Sequence, residues 1–242
     1  MSSLPALGFG VVAASANLMG AWAVTRSARL GLRVIELLFA FAAGFMIALA
    51  LVGVVPEALR KDPESGGLVI LLGFLLVHLT QHTMTPHFHF GTETHHVSHA
   101  ASTSGIIGLL LHTFFDGVAI ASGFLVSSRL GVLFFLAIFL HKLPEGVTVS
   151  SLVLAAGETP RRAVLAAGWL GAATILGVLL TERAQLLVDH GLALSAGVTL
   201  YVGASNLVPE FQGKIGWGLP LAFFAGAGCF VGAEALLSRL LA

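Results

Sequence analysis

The chain has 242 residues, of which 57% are hydrophobic and only 10% are charged. Soluble domains carry about 25% charged residues, so this composition excludes an ordinary soluble domain and predicts a protein embedded in a lipid bilayer. Lysine plus arginine and aspartate plus glutamate number 12 each, which leaves neither a basic surface for nucleic acid nor an acidic tail.

Eight hydrophobic runs follow one another along the chain, separated by short polar breaks. A helix needs about 20 apolar residues to cross a bilayer, a length that most of these runs reach. They cover residues 4–24, 34–58, 67–83, 105–126, 130–156, 163–181, 190–211 and 216–238. The third run is short, and its helix is expected to continue past His82. The pattern predicts an all-α polytopic membrane protein with eight transmembrane helices, in one domain spanning residues 1–242.

An internal repetition links the second run to the seventh. The sequence VVPE at 54–57, near the end of the second run, is echoed by LVPE at 207–210, near the end of the seventh. Three-helix units on each side of a central helix pair, with matched motifs, predict inverted repeats of the kind found in transporters. A chance match stays open as the alternative. Glu57 and Glu210 fit an interfacial carboxylate as well as a residue of a transport path.

The fourth and fifth runs each carry ionisable residues at their midpoints. His112 and Asp116 lie in HTFFDG, and His141, Lys142 and Glu145 lie in HKLPEG. Charged residues at the bilayer centre cost about 2.5–3.5 kcal/mol each on insertion scales and are usually functional. Residues four apart share a helix face, so two imidazoles and two carboxylates converge if the two helices face each other. That set suits Zn²⁺, Fe²⁺ or Mn²⁺ and predicts a mid-membrane cation site.

Other uses of these residues stay open. Lys142 could pair with Asp116 or Glu145 in a network that only locks the helix bundle. An intramembrane zinc-dependent hydrolase or a metal sensor would use the same ligands, although the chain has neither HExxH nor GxSxG. A proton-coupled carrier of a non-metal substrate would use the His/carboxylate pairs as a relay. A measurement of whether a divalent cation crosses the membrane distinguishes the metal-carrier hypothesis from these alternatives.

A histidine-rich loop is expected between the third and fourth helices, over residues 84–103. Seven of the ten histidines lie in or beside it: His78, His82, His87, His89, His95, His96 and His99. Neutral imidazoles bind zinc and similar ions, and the irregular spacing favours weak, exchangeable binding over a closed structural site. A solvated polar loop without function is the alternative. His78 and His82 share a helix face, so they form either a sharper site or the polar end of a span.

The positive charges between the runs indicate the orientation only weakly. With the N-terminus outside, six of them fall on the inner side and five on the outer side. The inner set is Arg26, Arg29, Arg33, Arg161, Arg162 and Lys214, and the outer set is Arg60, Lys61, Arg129, Arg183 and Arg239. Positive residues favour cytoplasmic loops, so this count favours both termini outside and the histidine-rich loop in the cytoplasm.

Together these features resemble the ZIP (Zrt/Irt-like) family of divalent metal transporters, over essentially the whole chain. The resemblance rests on the eight spans, the histidine-bearing loop, HTFFDG and HKLPEG on the central helices, and the two Pro-Glu endings. It implies transport of zinc, iron, manganese or cadmium into the cytoplasm. His112, Asp116, His141 and Glu145 are then the metal ligands, and Met46 on the second helix supplies a soft contact. For Met46, a role in core packing is an equal alternative.

The sequence departs from the two-metal members of that family. The positions of the second site hold Thr113 and Lys142 here, and an ammonium group neither ligates a cation nor tolerates one nearby. The sixth helix, over 168–180, also lacks the carboxylate that a second site would use. The resemblance therefore implies one transport metal, with Lys142 in the place of the second. Asp116 is one methylene shorter than the Glu common at its position.

The resemblance also implies partners and location. The metal is expected as transported substrate, so neither a prosthetic group nor an enzymatic activity is expected. The partners expected are divalent metal ions and the lipid bilayer, but no nucleic acid, and a homodimer is a further prediction. The expected location is the cell membrane, either inner or plasma membrane.

Overall fold

The structure, a computed structural model, describes residues 4–26, 32–84 and 99–240, and these are almost entirely helical. Its α-helices are α1 Leu4–Thr25, α2 Leu32–Ala48, α3 Val55–Lys61, α4 Gly66–Met84, α5 His99–Val126, α6 Ser128–Ala155, α7 Pro160–Thr181, α8 Gln185–Tyr201 and α9 Gly218–Leu240. Two π-helical segments, π1 Leu49–Val54 and π2 Val202–Leu207, continue α2 and α8.

These elements form eight rods, because π1 joins α2 to α3 without a break. Seven of the rods in the described ranges are long and apolar enough to cross a membrane, and the eighth, α4, has a shorter apolar stretch over Gly66–Thr80. The predicted all-α polytopic membrane protein is thereby confirmed. The third helix also continues past His82, to Met84, as expected.

The predicted limits of the seventh helix were wrong at both ends. The helix begins at Gln185 rather than at 190, and its π-helical extension ends at Leu207 rather than at 211. The polar pair Asp189 and His190 interrupts the hydrophobic run but lies within the first turns of α8. At the other end Pro209 has no N–H to continue a helical ladder, and turns follow π2.

Capping residues in the sequence account for several helix starts. The Ser127 hydroxyl accepts a hydrogen bond from the backbone N–H of Leu130 at the start of α6. Thr159 precedes Pro160, the first residue of α7, and its side chain accepts from the third residue of that helix. Both satisfy a backbone donor that has no partner inside the helix. The polar breaks at Ser127 and Thr159 are therefore tight turns that reverse the chain direction.

The packing of the rods repeats itself in opposite orientation. The central helices α5 and α6 contact each other, α6 also packs on α1, and α5 packs in the same way on α7. Further out, α2 packs on α9 while α8 packs on α4. If the first three rods are exchanged with the last three, and α5 with α6, the list of helix pairs that pack on each other stays the same. This is the inverted three-helix repeat that the sequence predicted.

Glycines bring the equivalent helices into backbone contact. A Cβ atom at Gly146 of α6 would overlap the carbonyl oxygen of Asn17 on α1, and a Cβ at Gly117 of α5 would overlap that of Thr174 on α7. Such small residues allow helices to approach closely where lipid provides no hydrophobic drive for association. The same relation holds for Gly20 with Leu143, Gly177 with Phe114, Gly44 with Phe223, Gly226 with Phe41, Gly73 with Leu194 and Gly197 with Ile70.

The two π-helical segments also occupy equivalent places, directly before the repeated Pro-Glu motifs. The N–H of Val55 donates to the carbonyl of Ala50, and the N–H of Val208 donates to that of Gly203, each bond spanning five residues. A proline follows each donor in the sequence, and its ring clashes with the carbonyl four residues earlier, which favours a wider helical turn. The sequence motif repeated at 54–57 and 207–210 thus corresponds to a repeated structural feature, a π-helical segment directly before Pro-Glu.

Candidate metal centre

The four predicted ligands lie at the midpoints of α5 and α6. His112 and Asp116 are one helical turn apart on α5, and His141 and Glu145 are one turn apart on α6. Because the two helices are joined by the single capping residue Ser127, they run antiparallel with their midpoints side by side. All four side chains are buried, with exposed fractions of only 2–6%.

The ligand atoms are spaced as a metal site requires. One nitrogen or oxygen from each of the four side chains lies within 4.8 Å of all the others. Nε2 of His112 and Nε2 of His141 each lie 3.4 Å from Oδ2 of Asp116. In tetrahedral zinc sites, with bonds of about 2.0–2.2 Å, neighbouring ligand atoms are about 3.3 Å apart. The two 3.4 Å separations therefore match two of the ligand–ligand distances of such a tetrahedron.

The ring of His141 is oriented by its own helix. Its Nδ1 lies 2.9 Å from the carbonyl oxygen of Ala137. A carbonyl only accepts hydrogen bonds, so Nδ1 carries a hydrogen, and in the neutral ring Nε2 then presents its lone pair to Asp116. A backbone carbonyl commonly orients metal-binding histidines in this way. Two acceptors then face each other at 3.4 Å, an arrangement that a proton or a cation between them stabilises.

Lys142 lies inside this constellation. Its Nζ is 2.6 Å from Oδ2 of Asp116 and 2.7 Å from Oε2 of Glu145, and the side chain has no exposed surface. The pairing expected from the sequence with Asp116 or Glu145 is therefore made with both. The second oxygen of Glu145, Oε1, and Nδ1 of His112 are buried and have no hydrogen-bond partner among the described residues.

Comparison with known proteins identifies the family. Residues 102–234, more than half of the chain, match the family model described as ZIP Zinc transporter. The chain belongs to this family. The predicted resemblance is confirmed.

Individual relatives cover the chain less completely. It is 34% identical over 111 residues to zinc transporter ZIP6 from Homo sapiens, which is 43% of this chain and 14% of that protein. It is 30% identical over 161 residues to zinc transporter ZIP9 from Micropogonias undulatus, covering 61% of this chain and 52% of the relative. The chain thus spans about half the length of the ZIP9 relative and a small part of ZIP6.

Two other residues singled out by the sequence, Thr113 and Met46, are both buried in this ZIP chain. The hydroxyl of Thr113 is buried and donates to the carbonyl of Leu110 within α5. Met46 is buried in the hydrophobic core on α2, beside Gly203 at the start of π2. That position fits the core-packing alternative, and its role as a soft metal contact remains a prediction.

The structure describes only some of the histidines in and beside the predicted loop. His78, on α4, packs edge-to-face against Tyr201, with ring centroids 5.8 Å apart. The backbones of His82 and His99 lie in α4 and α5, but their side chains are outside the described part of the structure, as are His87, His89, His95 and His96. Metal binding by this loop stays a prediction.

The Pro-Glu carboxylates are not among the four side chains that converge at the centre. Glu57 accepts a hydrogen bond of 3.0 Å from Nε of Arg60, one turn further along α3. This supports the interfacial alternative for Glu57. Glu210 lies in the turns after π2.

Sequence reasoning missed one buried polar residue beside the site. Asn17 of α1 has no exposed surface, and both polar atoms of its amide lack a partner among the described residues. Its backbone is in contact with Gly146, the residue after the ligand Glu145. The signal was available, because Asn17 is an isolated amide in the first hydrophobic run.

Proposed function

We propose that this ZIP chain carries divalent transition-metal cations, zinc first, through the His112, Asp116, His141 and Glu145 site. The observation that carries the proposal is the convergence of these ligand atoms within 4.8 Å at the midpoints of two adjacent helices. Two imidazole nitrogens and two carboxylate oxygens form a borderline donor set that suits Zn²⁺, with Fe²⁺, Mn²⁺ and Cd²⁺ as further substrates. The family match and the zinc transporters among its relatives support the same substrate class.

Transport through this site requires the ion to exchange its water for protein ligands and back again. The two carboxylates supply the negative charge that offsets dehydration, and the neutral imidazoles complete the shell. Because α5 packs on α7 and α6 packs on α1 through glycine contacts, each ligand helix is coupled to one repeat. Rocking of one repeat against the other then opens the site to alternate sides of the membrane.

The direction of transport is proposed to be towards the cytoplasm. Eight rods that alternate in direction would leave both ends of the described chain on one side of the bundle, with the end of α4 at Met84 and the start of α5 at His99 on the other. We place the chain ends outside and the 84–103 loop in the cytoplasm, where its histidines would receive released ions, with the cell membrane as location. A homodimer is a further prediction, to be tested by the mass of the purified protein in detergent.

Metal flux into proteoliposomes tests the proposal. Purified protein is reconstituted and uptake of Zn²⁺, Fe²⁺, Mn²⁺ and Cd²⁺ is compared with that of the double variant His141→Ala/Glu145→Ala. The matched control is His190→Ala/Asp189→Ala, which removes the same kinds of group from the first turns of α8. We expect uptake to be lost only in the first variant, with both proteins folded.

Two results would contradict the proposal. Tight zinc binding without flux of any ion would favour a sensor or a hydrolase. Full zinc flux in the folded His141→Ala/Glu145→Ala variant would show that the ion crosses elsewhere.

A further inference from the structure

Two serine hydroxyls are buried at the boundary between α5 and α8 without a hydrogen-bond partner. Ser122 of α5 is 3% exposed and Ser195 of α8 is 0% exposed, and neither hydroxyl has a partner within the described ranges. Other helical hydroxyls behave differently, since those of Thr174 and Thr181 donate to a carbonyl one turn earlier in their own helix. Burial of an unpaired hydroxyl is destabilising, so packing alone does not account for the two serines.

The hydroxyl of Ser122 points at the backbone of α8. A Cβ atom at Gly191 would lie only 2.5 Å from Oγ of Ser122, and it would also meet the side chain of Val118. Ser195 follows Gly191 by one helical turn, so it lies on the same side of α8, the side that packs on α5. Both hydroxyls therefore belong to one boundary, between a helix that carries metal ligands and a helix of the second repeat.

The two serines also lie close to the metal centre in depth. The chain reverses at three short connections between α5 and α8, so these two helices run antiparallel. Ser122 lies six residues beyond the ligand Asp116, which is about 9 Å along the axis of α5. The step from Gly191 to Ser195 covers about 6 Å in the opposite direction, back towards the depth of Asp116. The hydroxyls are thus successive polar positions that lead to the depth of the ligands.

We propose that Ser122 and Ser195 form an approach site, which holds a partly hydrated divalent cation beside the metal centre. The site rests on the proposed function, because it serves an ion that travels to or from the four ligands. Hydroxyl oxygens accept hydrogen bonds from the water bound to an ion, or replace one of those water molecules. They are neutral and hold the ion weakly, so it can pass on to the charged ligands, as conduction requires.

The concentration dependence of zinc uptake into proteoliposomes tests the approach site. Ser122→Ala/Ser195→Ala leaves the four ligands in place, so the Kd for zinc, measured in detergent by competition with a chromogenic chelator, should not change. We expect kcat/KM for uptake to fall by about three- to tenfold, because the hydrated ion loses one or two hydrogen-bond partners.

Ser150→Ala is the matched control for that variant. It also removes a fully buried hydroxyl that has no partner in the part of the chain that the structure describes. Ser150 lies on α6, one turn beyond Gly146 and therefore on the side that packs on α1, away from the boundary between α5 and α8. Its kcat/KM should match the wild type.

A second test detects the approach site without transport. Cys229 is the single cysteine of the chain, so Cys229→Ala gives a background in which Ser195→Cys carries the one thiol. We expect the small cationic reagent 2-aminoethyl methanethiosulfonate to modify this thiol in the purified protein, and zinc to slow the reaction. Ser150→Cys in the same background should stay unmodified. The exposed Cys229 of the wild type should react equally fast with and without zinc.

The two tests separate the approach site from the proposed function. An unchanged kcat/KM in the folded Ser122→Ala/Ser195→Ala variant, or no modification of folded Ser195→Cys, would overturn the approach site, and wild-type flux would still keep the transporter. Zinc-protected modification of Ser195→Cys without flux of any ion by the wild type would keep the cation site and reject transport. Thermal denaturation shows whether each variant is folded, and Ser122→Cys replaces Ser195→Cys where the latter is not.

Discussion

Replacing Gly117 by alanine tests the backbone contact that positions Asp116. The added methyl group would overlap the carbonyl oxygen of Thr174 and the backbone nitrogen of Val178 on α7. Neither atom belongs to a flexible side chain, so α5 and α7 must separate. Overpacking of this kind costs about 1–3 kcal/mol, and the higher helix propensity of alanine returns about 0.5–1 kcal/mol. A net loss of about 1–2 kcal/mol should lower the melting temperature by roughly 2–8 °C.

The assay is thermal denaturation in detergent together with zinc affinity. Gly228→Ala is the matched control, because a Cβ at Gly228 of α9 meets no atom within 4 Å, and this variant should be as stable as the wild type or slightly more so. Gly146→Ala, at the equivalent position of the other repeat, should behave like Gly117→Ala. Zinc binding should weaken in both, because the ligand preceding each glycine is displaced. Equal melting temperatures for Gly117→Ala and Gly228→Ala would refute the reasoning.

Three further predictions concern the charges. Asp116→Asn keeps the shape of the side chain but removes its negative charge and one of its two oxygens, so zinc affinity should fall by about 10–100-fold in competition with a chromogenic zinc chelator. Zinc uptake into proteoliposomes should decline as pH falls, because imidazole and carboxylate ligands must be unprotonated to bind metal; uptake that rises with acidity would point to proton coupling instead. Hydrogen bonds from the Ser65 hydroxyl and backbone N–H hold the pKa of Asp62 below its usual value. The ionised carboxylate of Asp62 therefore stabilises the folded state fully at pH values above its unfolded-state pKa. This stabilisation is lost as pH falls through its folded-state pKa. Asp62→Ala should lower the melting temperature at neutral pH, and the difference from the wild type should disappear in acid.

Much of the site was predictable because its spacing is simple. His112 with Asp116 and His141 with Glu145 are each four residues apart in long apolar runs, so a helix alone places each pair on one face. The pairing of the two helices was only a condition in that prediction, and Ser127, the single residue between α5 and α6, explains why it is met. The repeat was also visible, through the Pro-Glu motifs.

Details that depend on several elements at once were not predictable. The sequence left Lys142 with a choice between Asp116 and Glu145, and only the geometry of α5 against α6 shows that it reaches both. The glycine contacts require knowledge of which helices cross. The start of α8 was misplaced because Asp189 read as part of a polar break, although it is an exposed residue in the first turns of the helix.

The predicted metal centre lies on the two central helices, between the two three-helix repeats. This position explains the contacts that Lys142 makes. Exchange of the repeats relates α5 to α6, so His112 corresponds to His141 and Asp116 to Glu145, and under the proposed function each central helix would hold the ion with one imidazole and one carboxylate. The position after the first histidine breaks this symmetry, since α5 has Thr113 there and α6 has Lys142. Thr113 bonds to its own helix, whereas Lys142 bridges to the carboxylate of the other helix. The ammonium therefore joins the two central helices directly, through Asp116 of α5 and Glu145 of its own helix α6.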